Sequence, residues 1–482
     1  MTIPYPGRLF VALAVMLAAP VHPLLAQDAA GNPQVAAGPD HPSAQMINVP
    51  AQVGPPPQPV FDPRTYGARG DGVTYDTAAL QKAIDACAGS GGSVCLANGR
   101  FLSAHLTLRG GMTFYIQRGA VLLGGTNMAD YPVVLPPGAT DKALCRSLLY
   151  AANADHLVLD GAGVIDGQGP LVQMFGKEPN RPSLIRIFFS KDVAVRNLTL
   201  IRPRMWTQIY LNCQNLTIDH LTVNSPPKYC PNLDGLDICD CSNVVISNCR
   251  INSDDDSICL KSETRTGLHN ILVENNKIRN TGANAIKLGT ASHGPVEGVH
   301  ILNNTVYRAA LGGVCIESVD GSAISDFTVR GLDLYHVSQP IFIRLAHRSG
   351  TPGSITGVTI ENVRAISTND SRAPSCSITG IPGARIGSIL IKNCYFEMPG
   401  GVTKVPGPPA EKEATYPQSN VLGNTPAYGF YVRHADGCVF DHVTIGYYKW
   451  DARKWLVTDD ASATTSGCRD LQMIAPAKAP SH

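Results

Sequence analysis

Residues 244–275 read VVISNCRINSDDDSICLKSETRTGLHNILVEN, and the pattern at the two ends of this stretch decides the fold. Val244, Ile246 and Asn248 open it, and Ile271, Val273 and Asn275 close it. Apolar residues at i and i+2 put both side chains on one face of a strand. The same triplet stands upstream as Val193, Val195, Asn197 and as Leu216, Ile218, His220. Downstream it continues as Val299, Ile301, Asn303, then Phe327, Val329, Gly331, then Val358, Ile360, Asn362 and finally Ile389, Ile391, Asn393. From Ile218 onward the spacing is 28, 27, 28, 28, 31 and 31 residues. A strand at every turn of that length, with shorter strands between, coils a chain into an all-β, right-handed parallel β-helix in which each coil pairs with the next. The apolar columns then stack inside. The Asn column reads as a ladder at an inward bend that satisfies buried backbone groups.

Outward from the repeat, the ends need covers, because a coil stack exposes edge strands and core at both. Ala79, Leu80, Ala83, Ile84 and Cys87 follow helical spacing behind Asp76, a favoured N-cap, so residues 77–87 predict a helix that plugs the first coil. The solenoid is expected over residues 60–468, with 469–482 as a loose tail. Residues 27–59, rich in Ala, Gly and Pro, read as a flexible linker, and 404–418 as a Pro-rich insertion. Residues 1–26 carry the basic, apolar and small-residue order of a secretory signal peptide, which implies export to a periplasm or beyond the cell.

Charge narrows the partners. Lys and Arg number 39 against 38 Asp and Glu, a net +1, which argues against nucleic acid or an anionic membrane as a general electrostatic partner. A charged ligand must be met locally, and a monomer is expected. The 14 cysteines are compatible with disulfides in an oxidising compartment, Cys87 and Cys95 being the best local pair.

A second strand register runs beside the first: Ile238 and Asp240, Ile258 and Leu260, Ile286 and Leu288, Val314 and Ile316, Ile341 and Ile343. With these facing inward, two columns face outward. One holds Cys239, Cys259, Lys287, Cys315 and Phe342, and the other Cys241, Lys261, Gly289, Glu317 and Arg344. So charged a strip is a candidate ligand groove. Just ahead of its first strands stand Asn232-Leu233-Asp234-Gly235 and Asp254-Asp255-Asp256. Asp234 and Asp255, 21 residues apart, fall on neighbouring coils at the edge of the strip. Carboxylates so close cannot all ionise without penalty, which sets a protonated acid beside an ionised base. Glycosidic hydrolysis needs that combination. Taken alone, Asp234 reads more readily as a turn residue.

At these motifs the chain resembles glycoside hydrolase family 28, the polygalacturonase and rhamnogalacturonase group. The likeness begins at Tyr66-Gly67-Ala68-Arg69-Gly70-Asp71-Gly72 and passes through Gly163-Val164-Ile165-Asp166-Gly167-Gln168-Gly169. It reaches Asn232-Leu233-Asp234-Gly235-Leu236-Asp237 and Asp254-Asp255-Asp256-Ser257-Ile258-Cys259-Leu260-Lys261. The resemblance implies that Asp255 is the general acid and that Asp234 and Asp256 activate water. It also implies inversion at the anomeric carbon, a pectic or related polysaccharide as substrate, and no metal or other cofactor.

Two departures fall on the substrate side. Ala283-Asn284-Ala285 stands where the family has Gly-His-Gly, and Cys315-Ile316-Glu317 where polygalacturonases carry Arg-Ile-Lys. A glutamate at the second position would repel galacturonate. Asn232, Lys261, Asn284, Lys287, Glu317 and Arg344 are the candidate substrate contacts, with a Glu317–Arg344 surface ion pair as the bland alternative. His293 and His347 read as loop residues. Two rival functions stay open: a β-helix lyase whose acidic cluster holds Ca²⁺ while Lys261 or Arg344 acts as base, and a non-catalytic carbohydrate-binding solenoid. The latter calls for exposed aromatics, of which the strip offers Phe342 and, one coil earlier, Tyr210.

Overall fold

The computed structural model describes residues 53–135, 145–171, 181–225, 230–280, 282–367 and 375–475. The expected signal peptide and most of the expected linker lie outside them. Among the described residues, 37 strands join one continuous sheet that winds as a right-handed parallel β-helix.

The triplet repeat sets the register of the helix. Val193 pairs with Leu216, Leu216 with Val244, Val244 with Ile271, and Ile271 with Val299. The series continues through Phe327, Val358 and Ile389 to Cys438. All of these side chains are buried in one cluster running the length of the molecule. Each fully buried Val, Leu or Ile contributes roughly 1.5–3 kcal/mol, so a slip of one residue, which would turn the whole column outward, is strongly disfavoured.

The Asn column works differently from the inward ladder expected. Asn197, His220, Asn248, Asn275, Asn303, Gly331, Asn362 and Asn393 all have φ between 51° and 64°, the left-handed region that Gly and Asn tolerate best. They turn the chain at a corner. The inward ladder is formed one residue later, where Asn276 Nδ2 donates to the Ile246 carbonyl at 2.9 Å and Asn304 Nδ2 to Val273 at 2.8 Å.

Helix Thr77–Cys87 forms where its spacing placed it and buries Leu80, Ala83, Ile84 and Cys87 against the first coil. Asp76 does not cap it with its side chain. Its carboxylate instead accepts the backbone N–H of Arg69 at 2.7 Å and of Gly70 at 3.0 Å, closing the preceding loop. Cys87 and Cys95 are free buried thiols, not a disulfide. The helix carries Cys87 into the core, while Cys95 lies on strand Ser93–Leu96, paired across to Tyr115.

The boundaries shift at both ends. Residues 54–59 lie along the first coil: the Gly54 carbonyl accepts from Tyr115 Oη at 2.8 Å, and the Pro57 carbonyl from Ser93 Oγ at 2.7 Å. At the other end strand Arg469–Met473 pairs with Thr444–Lys449, so the solenoid continues into the expected tail.

Candidate active site

Register across the strip brings together a set of residues that differs from the expected columns at one coil. Asp237 pairs with Cys259, Cys259 with Lys287, Lys287 with Cys315, and Cys315 with Phe342. Cys239 pairs with Lys261 in the neighbouring column, which ends in Glu317 and Arg344. The inward pair of the first coil is thus Leu236 and Ile238, not Ile238 and Asp240. Asp240 sits at the following bend, φ 49°, where its Oδ1 accepts the Thr264 N–H at 3.1 Å. The alternation Leu236, Asp237, Ile238 carried that signal, and the pair Ile238–Asp240 obscured it.

One carboxylate oxygen from each of Asp234, Asp255 and Asp256 lies within 4.8 Å of the others. Two bends on successive coils achieve this. Asn232, at φ 57°, swings the first acidic turn over the second, and its backbone N–H donates to Asp255. Its side-chain oxygen accepts from Arg181 Nη2 at 2.8 Å, so Asn232 orients the turn. The Gly235 N–H donates to the Asp256 carbonyl at 3.0 Å, and a Cβ on Gly235 would meet the Ser257 carbonyl oxygen at 2.3 Å. Only glycine lets the two coils approach so closely.

The carboxyls are unequal. Burial, followed by the charge of Asp256, pushes Asp255 up to about 6. Burial and then the Asp237 charge raise Asp234 well above the usual carboxylate range, and its Oδ1 has no hydrogen-bond partner. Asp256 has donors around it: Asn284 Nδ2 at 2.8 Å, the Asn284 N–H at 3.2 Å and the Lys287 ammonium at 3.2 Å. A fourth carboxyl, unassigned from sequence, completes the cluster. Asp237 is fully buried, pushed up to about 7 chiefly by that burial, and 3.6 Å from Lys261 Nζ.

The strip points away from the core, yet it is not open to solvent throughout. Lys261, Lys287, Glu317 and Arg344 are all buried. Lys261 packs its ammonium 3.7 Å from the ring centre of the partly exposed Trp206, a cation–π contact with an aromatic that sequence reading missed. The expected aromatics Tyr210 and Phe342 are instead fully buried, Tyr210 because it pairs with Ile238 on the inward column.

Asn284 is also fully buried, held between Asp256 and the Gly312 N–H, which donates to its Oδ1 at 2.8 Å. It positions a carboxylate. The Glu317–Arg344 surface pair does not form. Glu317 lies 3.9 Å from Lys287, whereas Arg344 donates to Thr379 Oγ1 at 3.2 Å and to the carbonyls of Gly380 and Glu411. Nor does Glu317 present a fixed negative charge, because burial pushes it up to about 8. His293 and His347 lie in exposed loops, as expected.

Three carboxylate oxygens in this array could offer a hard cation a ligand set. Lys287 and Lys261, however, already bring positive charge to Asp256 and Asp237.

A family profile described as glycosyl hydrolases family 28 matches residues 104–380, more than half of the chain and both acidic turns. Over 369 residues the chain is 27% identical to a probable polygalacturonase of Vitis vinifera, covering 71% of this chain and 75% of that one. In solved structures it is similar to the family 28 exopolygalacturonase of Yersinia enterocolitica, with TM-score 0.60, 18% identity and 87% and 79% coverage. It is also similar to a hyperthermoactive exopolygalacturonase from Thermotoga maritima, with TM-score 0.59, 21% identity and 72% and 89% coverage. At those identities the structures bear on the fold alone, while the profile match over the acidic turns bears on the chemistry. The chain belongs to glycosyl hydrolases family 28 and is an enzyme that cleaves glycosidic bonds.

Proposed function

We propose that this enzyme hydrolyses glycosidic bonds of a pectic polysaccharide with inversion, and that Asp234, Asp255 and Asp256 carry the reaction. The observation behind this reading is the meeting of three carboxylates within 4.8 Å in unequal surroundings. Asp255, raised to about 6, is the member suited to give a proton to the leaving oxygen. Asp256, held by the donors of Asn284 and Lys287, is the member that takes a proton from water. Asp234 orients the same water through its unpartnered oxygen. No covalent intermediate is formed, and the chain's own groups suffice for each proton transfer. Export through residues 1–26 belongs to the same reading and places the enzyme where plant-type polysaccharide is found.

The test is a product screen against homogalacturonan, rhamnogalacturonan and their oligomers, following reducing ends together with ultraviolet absorbance. Hydrolysis produces reducing ends with no unsaturated product. A calcium-dependent rise in absorbance would instead identify a lyase.

A further inference from the structure

The segment 404–424 lies over the outward strip and meets it at several coils. Tyr416 Oη lies 3.3 Å from Lys287 Nζ and 3.2 Å from Thr290 Oγ1. On the next coil the buried Ser419 covers Gly312, where an added Cβ would come within 3.6 Å of Ser419 Cβ. One coil further, Arg344 donates to the Glu411 carbonyl. Beyond that, Arg433 donates to the Pro409 carbonyl at 2.7 Å and pairs with the Glu411 carboxylate, to which His434 Nε2 also stands at 3.0 Å. The Glu413 carbonyl accepts the His347 N–H at 3.1 Å. Four coils on this side of Asp256 therefore grip the segment. That grip explains why Lys287, Glu317 and Arg344 are only 2%, 0% and 2% exposed although their side chains point away from the core.

Among the described residues the opposite side of the carboxylates stays open, for Asp255, Asn232 and Trp206 are all partly exposed. A polysaccharide approaching the three aspartates can extend over Trp206 but not past Tyr416. Coils are about 4.8 Å apart, close to the length of one hexose residue, and Tyr416 stands over the coil immediately after that of Asp256. We infer that segment 404–424 is a specificity element that ends the substrate groove one sugar beyond the scissile bond, so that the enzyme works from a chain end and releases single sugar residues.

This inference rests on the hydrolytic reading proposed above, and the experiment separates the two. The full-length enzyme is given a defined pectic hexasaccharide, and in parallel the corresponding polymer, with first products resolved by chromatography and polymer viscosity recorded. The expected first products are monosaccharide and pentasaccharide, with viscosity holding while reducing ends accumulate. Dimers to tetramers as first products, or an early fall in viscosity, overturn the inference while leaving hydrolysis standing. Absence of any new reducing end overturns both. Replacing residues 406–423 by a short Gly-Ser link should convert monosaccharide release into mixed oligomers. Should that variant fail to fold, Tyr416→Ala removes the wall side chain alone and should add disaccharide to the first products. Monosaccharide-only release from a folded variant of either kind overturns the assignment of the segment as the wall.

Discussion

Lys287 Nζ stands 3.2 Å from Oδ2 of Asp256, with the ring of Tyr416 centred 5.2 Å from the ammonium. Burial opposes the Lys287 charge, and Asp256, joined by Glu317 at the higher pH where that group ionises, more than offsets it, so its pKa is raised and the ammonium persists. This lysine sets a positive charge against Asp256, beside two other carboxyls. Lys287→Met should lower kcat on the order of 100-fold and move the acidic limb of the pH–rate profile to higher pH. Fully retained activity with an unmoved limb would remove Lys287 from the machinery.

Asp255 is assigned the proton donor, so turnover requires its acid form. Burial and the neighbouring Asp256 charge lift it to about 6, and that form is lost as the pH rises above this value. kcat should decline on the alkaline side of about pH 6. Asp255→Asn should cost about 10²–10⁴ in kcat while leaving binding of unreacted oligosaccharide nearly intact, measured by calorimetry. Wild-type turnover in that variant would refute the role.

The stereochemical course deserves a direct measurement, because carboxyls separated to leave room for water usually lie roughly 6.5–9.5 Å apart, while retaining pairs lie near 5 Å. The nearest oxygens here are within 4.8 Å. In the proposed mechanism three carboxyls act in place of two, with Asp234 and Asp256 holding water jointly, so that neither need stand directly opposite Asp255. Proton NMR of the first-formed product should show the inverted anomer. Retention, or a glycosyl adduct trapped on Asp256, would contradict the proposal.

Glu317 links the strip to stability. It is fully buried with both oxygens unpartnered by hydrogen bonds, and burial raises it from 4.5 to about 8. The folded state therefore holds this proton more tightly than the unfolded chain. That stabilisation is complete below about pH 4.5 and is lost as the pH rises through about 8. Glu317→Gln, which mimics the protonated form, should gain on the order of 2–4 kcal/mol over the wild type between acid and alkaline pH, read from denaturant melts at pH 4 and pH 9. Parallel pH dependence of the two proteins would show that Glu317 is not the group responsible. Being neutral around pH 7, Glu317 also lacks the repulsion toward an acidic sugar that its identity alone implied.

The coil repeat was plain in the sequence because period two, renewed about every 28 residues, leaves few ways to bury Val244, Ile271 and Val299 together. The acidic turns were legible for the same reason: once the coil length is known, Asp234 and Asp255 must be neighbours. Asp237 was missed because one strand holds two overlapping alternations, and only the pairing of Leu236 with Ile258 selects between them. The Asn column was recognised as a backbone device, but whether it turns corners or bonds inward depends on φ, which spacing does not reveal.

What the sequence determined by itself was therefore the solenoid, its helical plug and the meeting of three aspartates, all consequences of local alternation and repeat length. What only the tertiary structure decided was which outward residues reach solvent and which charges persist. Segment 404–424 and Trp206 come from distant or irregular parts of the chain, and they bury Lys287, Glu317, Arg344 and Lys261 by contacts that no periodicity encodes. Proton affinities follow burial and neighbouring charge, both properties of the packed molecule. For that reason the sequence pointed to an acid beside a base among these aspartates, while the size and cause of the shifts at Asp234 and Asp255 belong to the fold.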